Sequence, residues 1–322
     1  GGGEMNELSL FLQLSVQLGT PFLLGTLGGI LCEKVGNLNL GIEGMMILGA
    51  FSGFAAGFHT HSVLLAVLAA MAGGVGGALI YAVITVTLKG NQTVTGFALT
   101  IFGTGFANFM GKRYSSQIMD SAVTAALGTH SIPGLSKIPV LGTAVFSQSL
   151  FVYFSILVAV ALCFYYQKTR FGLAARMVGE SPATADASGI NVDACKYVHI
   201  LLGGVLCGLG GAYLSLVYVP YWQDNITAGI GWIAVALVIF SGWHPAKAVL
   251  GCYLFGVLKG LAVKFQGVSF SVLGLKVSIA SQVMDMIPYI LTIVVLVFAA
   301  STTKNRSVGP AGVGKSYFRE DR

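Results

Sequence analysis

Residues 63–88 contain no charged side chain, and this run restricts the fold more than any other feature of the chain. It exceeds the ~20 residues that cross a bilayer as a helix, so it is read as a membrane span. Gly73, Gly74, Gly76 and Gly77 lie within it and mark a face for close helix contact, because lipid supplies no hydrophobic drive and small residues let backbones approach. Comparable apolar runs occupy 8–31 (with Pro21 inside), 45–58, 93–110, 149–166, 197–217, 249–263 and 286–300, and 229–240 is unusually short. Together they predict an all-α integral membrane protein with about nine transmembrane helices. Charged residues make up only 9% of the chain, against roughly 25% in a soluble domain. The net charge of +6 implies no nucleic acid, since the basic residues cluster beside the spans.

The longest polar interruption, 170–192, reads RFGLAARMVGESPATADASGINV. Ser181 followed by Pro182 gives an N-cap and a proline at the first helical position, where its missing N–H costs nothing. Ala183 to Ser188 can turn once or twice as a helix, and Gly189 offers a left-handed stop. A short capped helix between two spans is either a handle for another protein or an ordered connector. Placing it in the cytoplasm puts Lys34, Lys89, Lys247, Lys168, Arg170, Arg176, Lys196 and the basic tail inside. Lys112, Arg113, Lys137, Lys264, Lys276 and the N-terminus then fall outside, a distribution the positive-inside bias favours.

Two parts of the chain echo each other in order. LLGTLGGIL (23–31) resembles LLGGVLCGL (201–209), and AVLAAMAGGV (66–75) resembles AVLGCYLFGV (248–257). Between them lie two Asn- and Gly-bearing breaks, 37–44 and 225–231. With the sides assigned as above, the repeats are inverted, and broken helices are expected near the bilayer midplane at their interface.

The 170–192 stretch, together with GNLNLGIEGMMILGAF (36–51) and GIGWIAVALVIFSGWHPAKAVLG (229–251), resembles the simple-sugar and nucleoside branch of ATP-binding-cassette importer permeases. That resemblance implies that Arg176, Gly179, Glu180, Ser181, Pro182, Ala183, Ala187 and Gly189 couple the chain to cytoplasmic ATP-binding subunits. It further implies a second permease subunit, identical or not, an extracellular or periplasmic substrate-binding lipoprotein, and a multi-pass location in a bacterial cell membrane. ATP and magnesium would act in the partner subunits, with no cofactor or metal in this chain. The expected substrate is a nucleoside; the alternatives are a simple sugar such as ribose or galactose, and a secondary transporter working alone. The expected organisation is an expression remnant at 1–4 and one transmembrane domain over 5–303. Within it lie a first repeat at about 8–111, a coupling loop at 168–196 and a second repeat at about 197–300. A flexible basic cytoplasmic tail over 304–322 completes the chain.

Glu43 is the one carboxylate set between apolar runs in the first half, and burying it unpaired is costly. It would line a translocation pathway with Asn37 and Asn39, or it would pin the unwound backbone by accepting N–H bonds. The second role is preferred, because a pore passing a neutral solute needs low affinity. At the other break, Asn225 and Trp232, with Tyr218, Tyr221, Trp222 and Asp224, mix ring faces and polar groups that suit either a nucleoside or an interfacial aromatic belt.

GPAGVGKS (309–316) matches a phosphate-loop spelling, but no strand precedes it and no helix of useful length can follow, so no nucleotide site is expected and the tail should be dispensable for uptake. The five scattered cysteines and five histidines show neither disulfide nor metal spacing, and no catalytic constellation is present.

Overall fold

The computed structural model describes residues 2–131, 141–265, 269–272, 275–278, 286–287, 289–290, 293–294, 297 and 309–318. The helices run α1 (Gly2–Glu33), α2 (Ile42–Thr60), α3 (Val63–Ala82), α4 (Gln92–Gly111), α5 (Ser121–Leu127), α6 (Leu141–Phe146), α7 (Leu150–Lys168), α8 (Arg170–Glu180), α9 (Pro182–Ala187), α10 (Val192–Tyr213), α11 (Ile230–Phe240) and α12 (Pro245–Phe265). Single π turns, Val83–Thr87 and Leu214–Tyr218, lengthen α3 and α10. Two small antiparallel pairs accompany them: β1 (Thr129–Ser131) with β2 (Ser147–Ser149), and β3 (Ser269–Val272) with β4 (Leu275–Ser278).

Among the described residues, 6 helices are long and apolar enough to cross a membrane. The expected span at 286–300 falls mostly outside the described residues. The expected spans at 45–58 and 229–240 are α2 and α11, two helices that begin within the last residues of the two breaks. A membrane-spanning chain must satisfy its backbone internally, and long helices with unwound backbone only inside protein meet that demand.

The order helix, break, helix, turn, helix occurs twice, as α1–α2–α3 and as α10–α11–α12. Packing between the two sets is reciprocal. The first helix of each lies against the third helix of the other, α1 on α12 and α10 on α3, and α1 also crosses α10. Two glycines at matching places in the AVL-type echo, Gly74 and Gly256, make this possible. A Cβ on Gly74 would lie 2.8 Å from Gly208 Cα on α10, and one on Gly256 would lie 2.7 Å from the Gly19 nitrogen on α1. Here glycine serves close approach, with no need for conformational freedom. α2 fills the middle, packed against α3, α4, α10 and α11, with Met45, Met46, Ile47 and Phe54 completely enclosed.

Connections collect at two ends. One gathers the residues after α1, the α3–α4 turn, α8, α9, the α11–α12 turn and the segment 309–318. The other gathers the α2–α3 turn, residues 114–120 and residues 218–225. There His59 Nε2 meets Tyr114 OH at 2.8 Å, His61 pairs with Asp120 at 2.8 Å, and Met119 N donates to Pro220 O at 2.8 Å. Trp222, grouped above with possible surface rings, is instead only 1% exposed and packs edge-on against Phe51.

Two expectations need correction. The polar interruption holds two helices where one was read. In α8 the buried positions Gly172, Ala175, Val178 and Gly179 follow helical spacing, but three of the four are glycine or alanine and leave no visible apolar stripe. The tail also departs from the expected free basic segment. Over 309–318 it lies packed along the α8–α9 end of the molecule.

Candidate functional site

Side chains meet several backbone groups of the first break. Leu38 N donates to Gln92 Oε1 at 2.7 Å, Tyr81 OH donates to Leu38 O, Asn39 Oδ1 accepts from Gly41 N at 2.9 Å, and Thr100 Oγ1 donates to Leu40 O at 3.2 Å. Side chains from α3 and α4 thus replace the hydrogen bonds that the missing helical turn would have made. Asn37 and Asn39 are 0% exposed, and Asn37 Nδ2 points to Thr85 Oγ1 at 3.3 Å. In this conformation neither asparagine faces a surface that a solute can reach.

The second break bends back sharply, with Asn225, Ala228 and Gly229 all at positive φ. For Ala228 that conformation costs about 1–2 kcal/mol, so something must hold it. Glu43 does. Its Oε1 accepts from Thr227 Oγ1 at 2.5 Å and from Gly229 N at 3.0 Å, and its Oε2 accepts from Gly231 N at 2.6 Å. Glu43 lies in the first turn of α2, while Gly229 caps α11 and Gly231 lies in its first turn. One carboxylate therefore sits at the N-termini of both α2 and α11, where their dipoles and free N–H groups favour an anion. Gly231 is required by approach, since a Cβ there would lie 2.5 Å from Glu43 Cα.

Beside this junction is a more open surface. Trp232, in the first turn of α11, lies 5.3 Å from the Phe97 ring of α4. Asn225 and Asn108 exchange two bonds, Asn108 Nδ2 to Asn225 Oδ1 at 3.0 Å and Asn225 N to Asn108 Oδ1 at 3.1 Å. Of the residues singled out in the sequence, Glu43, Asn225 and Trp232 converge here, whereas Asn37 and Asn39 do not. Thr227, Phe97 and Asn108 were missed, because a threonine, a phenylalanine and an asparagine on apolar segments carry no signal until the folded chain juxtaposes them.

At the α8–α9 end, Arg176, Gly179 and Glu180 lie on α8 and Ser181 caps α9, accepting from Thr184 N at 3.3 Å. Pro182 takes the first helical position, and Ala183 and Ala187 are exposed. Gly189 closes the helix at φ +83°. Its N–H donates to Asp186 O at 2.9 Å and the Ile190 N–H reaches Ala185 O at 3.0 Å, the pair of bonds that ends a helix through a left-handed residue. Lys34, just beyond α1, is packed nearby. Burial lowers its ammonium pKa, the Arg176 cation adds to that, and Glu180 opposes it.

The phosphate-loop spelling has a different use in the fold. The Gly312 amide donates to Gly179 O at 2.8 Å and the Ala311 amide to Glu180 Oε2 at 3.2 Å, so two N–H groups of the lettering already hold oxygen atoms of α8.

Residues 12–296 match the family described as the branched-chain amino acid transport system / permease component. The chain belongs to this permease family. The permease is 35% identical over 300 residues to the guanosine ABC transporter permease protein NupQ of Bacillus subtilis, covering 90% of this chain and 91% of that protein. It is 33% identical over 322 residues to the nucleoside ABC transporter permease protein NupC of Lactococcus lactis subsp. cremoris, covering 98% of each. A Haloferax volcanii protein provisionally named as a glucose ABC transporter permease, TsgC13, is 35% identical over 323 residues, covering 96% of this chain and 97% of that protein. Among solved structures, a transporter described as metal-chelate ABC type, in an inward-facing conformation, overlays with TM-score 0.50 at 13% identity. It covers 92% of the permease and 100% of that chain, a likeness of fold. The permease is thus a multi-pass membrane subunit of an ATP-binding-cassette transporter.

Proposed function

We propose that the permease carries a neutral nucleoside across the cell membrane, driven by separate ATP-binding subunits that dock on α9 from the cytoplasm. The observation that carries the neutral solute is Glu43. In transporters with broken helices, half-helix N-termini commonly receive the charged end of an anionic substrate. Here that place at α2 and α11 is filled by the protein's own carboxylate, bonded to three donors. A phosphate or the carboxylate of an amino acid would find those dipoles already satisfied and a like charge beside it. The Trp232–Phe97 pair and the Asn108–Asn225 carboxamides offer ring faces and hydrogen-bonding groups next to the junction, complementary to a base and a ribose.

The docking role rests on α9. It is capped at both ends, exposes Ala183 and Ala187, and is held between α8 and α10. ATP and magnesium act in the partner subunits, and the energy arrives here as movement of α9. A second permease subunit and a substrate-binding lipoprotein complete the assembly. The two sets of three helices act as inverted repeats that rock about the Glu43 junction.

A simple sugar is the second reading, favoured by the name of the Haloferax relative. Uptake by proteoliposomes holding the complete transporter separates the two. Labelled guanosine or uridine should be taken up on ATP addition and excess hexose should not compete. Competition by hexose alone would assign the permease to sugars, and transport of a branched-chain amino acid would overturn the argument from Glu43.

A further inference from the structure

The last described segment, 309–318, touches both the proposed docking helix and the first break. At one end Tyr317 OH donates to Asp186 Oδ2 on α9 at 3.0 Å. Two residues earlier, Lys315 O accepts from Gln92 Nε2 at 3.3 Å, and the other end of that same carboxamide, Oε1, accepts from Leu38 N in the break at 2.7 Å. Gln92 is 3% exposed, so the side chain that makes this bridge is itself buried. The segment is anchored along its length. Ser316 Oγ donates to Lys89 O at 3.2 Å, Gly312 lies on Gly179, and Gly309 lies against the Trp243 ring, where a Cβ would fall 2.5 Å from the ring edge.

Apart from this segment, α9 packs chiefly on its own sequence neighbours α8 and α10. Beside these covalent neighbours, 309–318 gives α9 a hydrogen-bonded route to the first break, through Tyr317, Lys315 and Gln92. We propose that this segment is a coupling strap, with Tyr317 and Gln92 as positioning residues that transmit displacement of α9 to the unwound backbone at Leu38. The inference rests on α9 being the docking element. The strap works in tension and through hydrogen bonds, a role glycine-rich backbone suits because its amides can approach other backbone closely.

The test uses the complete transporter with its ATP-binding subunits in proteoliposomes. Tyr317→Phe removes one hydroxyl and nothing else, and Gln92→Leu breaks the bridge at its other end. Each should reduce ATP-driven uptake by about tenfold, within the range of coupling between linked sites, while the ATP-binding subunits still co-purify. The double variant should be no worse than either single one, as for two links in one chain. Deletion of 309–322 should match them. Uptake within about twofold of wild type for Tyr317→Phe and the deletion, or losses that multiply in the double variant, would overturn the strap. A parallel Ala187→Arg variant separates this from the parent reading. Retained ATP-binding subunits there would sink docking on α9 and the strap with it. Lost subunits there, with normal uptake in Tyr317→Phe, would sink the strap alone.

Discussion

The amide of Gly231 donates to the carboxylate of Glu43 at 2.6 Å, so the first turns of α2 and α11 share one anion. The two breaks are therefore one structural unit although almost two hundred residues of chain separate them.

Replacing Glu43 with glutamine keeps the shape and removes one acceptor. An amide nitrogen then faces the Gly231 or Gly229 N–H, or the Thr227 hydroxyl. A buried donor left without a partner costs about 1–3 kcal/mol. Glu43→Gln should lower the thermal midpoint of the detergent-solubilised permease by several degrees and reduce uptake. A midpoint equal to wild type would mean that the junction is held by something else.

Gly189 separates handedness from space. Its φ of +83° is unfavourable for a branched side chain, yet nothing lies within 4 Å of where a Cβ would sit. Gly189→Val should impose about 1–2 kcal/mol of backbone strain, small for a membrane fold and large for coupling between sites. The variant should insert and purify normally while uptake falls severely. Gly189→Asn, which visits the same conformation readily, should restore most of the transport. Equal activity for valine and wild type would reduce α9 to a connector.

Gly74 and Gly76 give a paired test of packing on a single helix. A Cβ on Gly74 meets α10 backbone, whereas one on Gly76 meets nothing within 4 Å. Gly74→Ala should push α3 from α10 and lower the thermal midpoint. Gly76→Ala should be neutral or stabilising by up to about 1 kcal/mol through helix propensity. Matching midpoints for both variants would refute the crossing described here.

Asp120 caps α5 through Ala122 N at 2.7 Å and pairs with His61 at 2.8 Å. The Ala122 amide, followed by the bonds and charge of His61, holds its pKa below the usual 3.8. A carboxylate with a depressed folded-state pKa contributes stability above the unfolded value and loses it as pH falls through the folded one. The end of α5 should therefore begin to loosen as pH drops below about 3.8, read by hydrogen exchange at residues 121–123. Asp120→Asn should keep the cap and abolish the pH step. A step that survives in Asp120→Asn would assign it to another group.

How much of this was legible in the letters depends on the interaction. Charge-free runs announced the spans, and Ser181-Pro182 with Gly189 announced α9, since caps and breakers act through their own side chains or lack of one. Glu43 was legible as a buried charge needing partners, but two of the partners are backbone amides of the far break, and backbone groups have no letter. Gln92 carried no signal of its role, because both of its bonds go to main chain. The 309–318 segment was misread for the same reason: amides, a carbonyl and glycine contacts hold most of it in place.

The reciprocal crossing of the two helix sets also governs how the chain can be made. Within their most apolar stretches α1 is 83% buried and α10 78% buried, each against helices of the opposite set. During synthesis α1 leaves the ribosome long before α10 and α12, the helices that cover its glycine-lined face. It must wait in the bilayer, next to lipid or an insertase, until the second set arrives. A chain stopped after α9 would show that uncovered notch to the membrane, giving quality-control proteases a direct mark of an unfinished molecule.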